Sequence, residues 1–120
     1  MEPTIVRVDS PEDALWRDEL FAPVLAVLVV EDAAEAFRTS DLGEYGLTAA
    51  VFTDSLAATF DAIDDLEVGI LHVNSESAGA DPHVPFGGAG ASGLGPKEQG
   101  RAARDFFTRT TTIYLGRGPR

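Results

Sequence analysis

The sequence has no cysteine. That absence excludes a disulfide framework, a thiolate metal site and thiol nucleophile chemistry within these 120 residues. It fits a reducing compartment. Positive charge is scarce: nine Lys and Arg stand against twenty Asp and Glu, for a net charge of -11. A surface of that sign repels phosphate backbones and anionic lipid, so neither nucleic acid nor membrane is an expected partner. Long hydrophobic runs are missing too. The longest, Phe21 to Val30, is interrupted by Pro23 and falls far short of the ~20 residues a membrane helix needs. The first ten residues carry no basic-then-apolar leader pattern. A cytoplasmic, single-domain chain is expected, large enough to bury about two thirds of its unfolded surface.

What is present reads as α/β. Thr4 to Val8 is β-branched and reads as a strand, and Pro11 to Leu20 as a short helix or a loop. Val24 to Val30 is continuously apolar, the pattern of a strand buried on both faces. Glu31 and Asp32 open a helix, with Gly43 as its stop. Leu47 to Thr53 is the next strand, and Asp54 or Ser55 caps the next helix. There Leu56, Phe60, Ile63 and Leu66 recur at helical spacing and make an apolar stripe. Ile70 to Asn74 is a third strand. The β-α-β-α-β order predicts a parallel sheet covered by its crossover helices. Residues 75–100 then hold seven glycines and three prolines, the composition of a long functional loop. A helix from Glu98 to Phe107 and a strand from Thr110 to Leu115 close the chain, followed by a frayed tail.

Several motifs fail on context. Gly88, Gly90 and Gly93 match G-x-G-x-x-G, but no strand leads directly into them and Pro96 stands where a helix should begin. Lys97 lacks the glycine spacing of a phosphate loop. Ser92 lacks the strand–turn–helix setting of a hydrolase nucleophile. His72, Asp81 and His83 have no metal-ligand spacing, so no metal is expected. Glu19 and Phe21, just before a buried strand, could grip a ribose, the acid accepting from hydroxyls and the ring packing on the sugar. From chemistry alone an exposed acid and an anchoring Phe account better for the same residues. Phe86, at a glycine turn, lines a pocket or plugs the core.

In order, these segments resemble the C-terminal part of the aldehyde dehydrogenase family. Glu19 to Leu25 is similar to its E-[IL]-F-G-P-V-L, and Glu44 to Thr53 to its E-Y-G-L-x-A-x-V-F-T. Gly69 to Asn74 fits G-x-x-x-V-N, and Pro85 to Gly93 fits P-F-G-G-x-x-x-S-G. The loop from Asn74 to Phe86 further resembles the α-ketoglutarate semialdehyde branch. The resemblance implies a partial domain, with residues 1–109 ending a catalytic domain and residues 110–120 forming an oligomerisation strand and tail.

It also implies roles. Glu19 would hold the nicotinamide-ribose hydroxyls of NAD or NADP, with Phe21 packed on that ribose. Asn74, Ala80, His83 and Phe86 would belong to the substrate pocket, Asn74 by holding the strand end beside it. Glu98 would serve a proton relay. The family's nucleophilic cysteine, its general-base glutamate motif and its dinucleotide-binding domain have no counterpart here, so no catalytic residue is assigned and tight cofactor binding by these residues alone is not expected. Locally, Ala22 replaces a Gly, and Arg38 to Asp41 puts polar groups on a turn that is normally apolar. The implied function is that of a C-terminal fragment of an NAD(P)-dependent aldehyde dehydrogenase, inactive alone. The alternatives are half of a split enzyme completed by a cysteine-bearing N-terminal chain, and a non-catalytic oligomerisation module. The expected partners are accordingly a second copy or that N-terminal half.

Overall fold

Two β-branched runs pair first. Strand β1, Thr4–Val8, lies parallel to β2, Val24–Leu28, with Thr4 opposite Val24 and Val8 opposite Leu28. The crossover between them holds one turn of helix, α1 at Ala14–Arg17, whose N-cap Asp13 accepts from the Leu15 amide. Helix α2, Ala33–Ser40, follows, capped by Asp32, which accepts from the Glu35 amide. The Glu35 carboxylate bonds back to the Glu31 amide, so acids fasten both ends of the first turn. The chain next forms β3, Tyr45–Gly46, and β4, Thr48–Val51. Helix α3, Leu56–Asp65, is capped by Ser55, and β5, Ile70–Val73, lies parallel to β4. Strand β6, Ala89–Gly90, pairs antiparallel with β3, and α4 spans Ala102–Phe107. This computed structural model describes residues 1–79 and 81–118.

The α/β character and the parallel crossovers are as the sequence predicts. The single sheet is not: the described strands form three two-stranded pieces, β1–β2, β3–β6 and β4–β5, and β2 does not ladder with β4. Nor is β2 buried on both faces. Ala26 and Leu28 turn inward while Leu25, Val27 and Val29 are exposed. A strand hides both faces only when layers cover both, and here Ile5, Leu25 and Val29 look out to solvent. The apolar residues that are buried are Val8 at the end of β1, Phe37 on α2 and Ala62 on α3.

Other boundaries move for identifiable reasons. Helix α2 ends at Ser40, its last turn closed by Asp41, ahead of Gly43. Helix α4 begins at Ala102 rather than Glu98, because Glu98 pairs with Phe86 instead: each donates its amide to the other's carbonyl, at 2.6 and 3.0 Å. The expected strand Thr110–Leu115 is absent. Residues 108–118 have no ladder partner among the described residues, and Ile113, Tyr114 and Leu115 are exposed. An isolated strand has nothing to satisfy its amides except water. The extents of 80 × 37 × 25 Å and radius of gyration of 20.3 Å describe an elongated molecule.

Candidate functional site

Glu19 and Phe21 sit between α1 and β2, where Pro23 prevents a helix from continuing. Phe21 has φ of 48°, the left-handed region that disfavours a bulky side chain. Its ring is 92% exposed, so the chain's own core does not hold it there. Glu19 is exposed beside it. Both line a hollow of about 390 Å³, with Arg17, Leu42, Glu44 and Tyr45 on its other sides. Glu19 and Tyr45 also border a second hollow of about 480 Å³ that runs along Gly46 to Ala50 and reaches Ser92. The carboxylate thus stands where two depressions meet, free to accept hydrogen bonds. A carboxylate beside an outward-facing ring suits a sugar, which offers hydroxyl donors at its edge and C–H groups on its face.

Asn74 has a different setting. It ends β5 with φ of 55°, a conformation Asn tolerates. Its amide oxygen accepts from the Thr53 amide and its NH₂ donates to the Thr53 carbonyl, both at 2.9 Å. The side chain therefore spends both its polar ends on tying the end of β5 to the end of β4. That joins the two strand ends and leaves one N–H of the amide without a partner among the described residues.

The glycine-rich segment docks against the start of β5. Lys97 donates its ammonium to the Gly69 carbonyl, and Ser92 accepts from the Gly46 amide at 3.1 Å. A Cβ on Gly69 would collide with the backbone of Gly87 and Gly88, so only glycine permits this approach. Phe86 and Glu98 line a hollow of about 270 Å³ closed by Leu94, Pro96 and Phe106. The structure thus joins Phe86 to Glu98. His83 stands apart: it is exposed, and its amide donates to the Asp81 carboxylate at 2.9 Å. Ala80 lies outside the described residues. None of these three hollows borders both the Glu19–Phe21 pair and the Phe86–Glu98 pair.

Sequence reasoning missed two supports. Tyr45 and Arg17 border the Glu19 hollow: Tyr45 lies in the Glu44–Thr53 motif but was given no role there, and Arg17 has no signal in type or spacing. The polar turn at Arg38 to Asp41 is used rather than wasted. The Asp41 carboxylate accepts from the Glu67 amide, and the carbonyl of buried Thr39 accepts from the Trp16 indole at 3.4 Å.

Comparison with known proteins places this geometry in context. The model of the aldehyde dehydrogenase family matches residues 1–113. The chain is 34% identical over 115 residues to an alpha-ketoglutaric semialdehyde dehydrogenase of Bacillus subtilis, covering 96% of this chain and 24% of that protein. It is similar in structure to the HpcC protein of Thermus thermophilus, with a TM-score of 0.85 and 32% identity over 98% of this chain and 23% of that one. An NAD-dependent aldehyde dehydrogenase of Sinorhizobium meliloti superimposes with a TM-score of 0.84 and 31% identity, over 98% of this chain and 24% of that one. The chain spans about a quarter of the length of the relatives it matches.

Proposed function

The chain belongs to the aldehyde dehydrogenase family, and on that premise we propose that these residues form the C-terminal part of an NAD(P)-dependent enzyme oxidising an aldehyde to a carboxylic acid in the cytoplasm. Residues 1–109 end its catalytic domain, and residues 110–120 are its oligomerisation strand and tail. The observation that carries this reading is the pair Glu19 and Phe21: an exposed carboxylate and an outward ring, in a strained backbone, on one hollow. A backbone held in the left-handed region costs roughly 1–2 kcal/mol and persists where a site needs it.

The residues fit the nicotinamide-ribose end of a dinucleotide. Glu19 accepts from the ribose hydroxyls and Phe21 packs on the sugar, which orients that end of the cofactor. When bound, the nicotinamide supplies a hydride acceptor. Phe86 lines the aldehyde's path, Asn74 keeps the β4 and β5 ends in register beside it, and Glu98 stands next to Phe86 to pass a proton. The nucleophile comes from elsewhere, because oxidation through a thiohemiacetal uses an activated thiolate and the chain has no cysteine. That requirement favours a cysteine-bearing polypeptide as the complement of this surface, with further copies of the chain joined through residues 110–120. The Bacillus relative's name and the Asn74–Phe86 loop both point to a semialdehyde as substrate.

Nicotinamide mononucleotide tests the cofactor reading directly, since it carries only the end that Glu19 and Phe21 would meet. Titrated into the isotope-labelled chain, it is expected to shift the resonances of Glu19, Phe21 and Tyr45, with a Kd in the ~1 mM range. Glu19→Ala should abolish those shifts. Shifts confined to other residues, or unchanged in the variant, would overturn the assignment.

A further inference from the structure

Ser92 fits no hydrolase motif, yet it stands where the two halves of the candidate site meet. It borders the hollow that Glu19 and Tyr45 line, and it borders the hollow that Phe86 and Glu98 line. No other residue is common to these two hollows. The side chain is half-buried, and its Oγ accepts from the amide of buried Gly46 at 3.1 Å. Tyr45, directly before Gly46, also lines the hollow of Glu19 and Phe21.

The turn that carries Ser92 is fastened on both sides. Toward β3, Gly90 pairs with Tyr45 and Ala89 with Gly46, and the Ala91 amide donates to the Glu44 carbonyl at 2.8 Å. The amide of Ser92 itself closes the turn on the Ala89 carbonyl at 3.1 Å. Toward the pocket, Ser92 packs on Gly88, where a Cβ would collide with both the Cβ and the carbonyl of Ser92. Gly88 lies two residues from Phe86, whose backbone pairs with that of Glu98. The path from Tyr45 to Phe86 thus runs through one hydroxyl and one close packing contact. All of these contacts lie within the chain, so none depends on what covers either hollow from outside.

We infer that Ser92 is a positioning residue, which through Gly46 and Gly88 holds the cofactor hollow and the aldehyde hollow in register. This rests on the roles proposed for Glu19 and Phe86. Reaction between two bound molecules tolerates little misplacement, and a shift of about 1 Å can cost about 100-fold in rate. Residues behind the contact groups set that precision. Serine suits the position because it is small enough to pack on Gly88 and still brings an acceptor to the Gly46 amide. Alanine keeps the packing and drops the bond, so Ser92→Ala removes the link with little else.

Nuclear magnetic resonance on the full isotope-labelled chain tests this, with nicotinamide mononucleotide as the probe. In the unaltered chain the probe is expected to shift the amides of Glu19 and Tyr45 and, through Ser92, those of Phe86 and Gly88. In Ser92→Ala the first two should keep their shifts and the last two should lose them, with circular dichroism unchanged. Ser92→Cys, of the same shape but a weaker acceptor, should fall between. Shifts at Glu19 and Tyr45 that never reach Phe86 and Gly88 would overturn this inference and leave the cofactor reading standing. Shifts at all four that survive in Ser92→Ala, or vanish together there, would overturn it as well, the second result marking a merely structural serine. No shift at Glu19 in the unaltered chain would refute the cofactor reading, and the positioning role would fall with it. The unaltered chain and Ser92→Cys decide the matter if Ser92→Ala does not fold.

Discussion

Individual residues carry strain and clamps that separate binding from stability. Phe21 is held at φ of 48° with its ring in solvent, so Phe21→Gly removes the backbone penalty without opening a cavity. The variant is expected to unfold at the same temperature or slightly higher, while losing the shifts induced by nicotinamide mononucleotide. A clear fall in thermal midpoint would mean the ring supports the fold instead. Asn74 behaves oppositely, because its two hydrogen bonds to Thr53 join two strand ends. Asn74→Ala loses both and forces Ala into the left-handed region, for a cost of roughly 2–3 kcal/mol. Asn74→Gly keeps the backbone free and should cost roughly 1 kcal/mol less. Chemical denaturation of the pair measures the difference, and equal losses would refute the strain component. At this scale the sequence was informative about residue type and poor on grouping. Glu19 and Phe21 are two apart and read as a unit. Phe86 and Glu98 meet only through a pairing across twelve residues, which no local pattern announces.

Elements follow the sequence where their signals are local and depart from it where they need partners. The helix starts at Asp32 and Ser55 are legible because each side chain acts on an amide within three residues, whereas the Asp13 cap of the one-turn α1 is not read from the sequence. The reading of β2 as fully buried fails because burial depends on a covering layer that the local sequence does not contain. The α3 stripe is apolar at helical spacing as read, yet Leu56, Phe60 and Ile63 are exposed: periodicity reports that a face is apolar, not which way it points. The C-terminal segment has the β-branched composition of a strand, yet a strand exists only as one side of a ladder. Its exposed Ile113, Tyr114 and Leu115 make it an edge in search of a sheet. Ile113→Lys is therefore expected to shift a discrete oligomer toward monomer with unchanged circular dichroism. Light scattering that finds the unaltered chain monomeric at high concentration would contradict that role. The glycine loop is held more firmly than its composition suggests. Gly69→Ala should destabilise by roughly 1–3 kcal/mol in thermal melts, since backbone rather than a flexible side chain occupies the space a methyl would need. A neutral result would show that the loop is not seated on β5.

For the whole molecule, the radius of gyration of 20.3 Å exceeds the roughly 14 Å of a compact domain of this length. Outward apolar residues on β1, β2 and the C-terminal segment outnumber the buried ones, and three short sheets stand where one would be expected. These are the marks of a part shaped by the surfaces it lies against, in agreement with a chain that spans about a quarter of its relatives. On the proposed function, Glu19 and Phe21 would orient a cofactor and Phe86 would line the pocket, while the nucleophile lies outside these 120 residues. The most direct test is aldehyde-dependent formation of reduced nicotinamide cofactor by the purified chain, followed by absorbance with NAD and with NADP. None is expected from the chain alone, with either cofactor and with semialdehyde or aromatic aldehyde. Turnover that persists through repeated purification and is lost on Glu19→Ala would contradict it, and would require a nucleophile other than cysteine within these 120 residues.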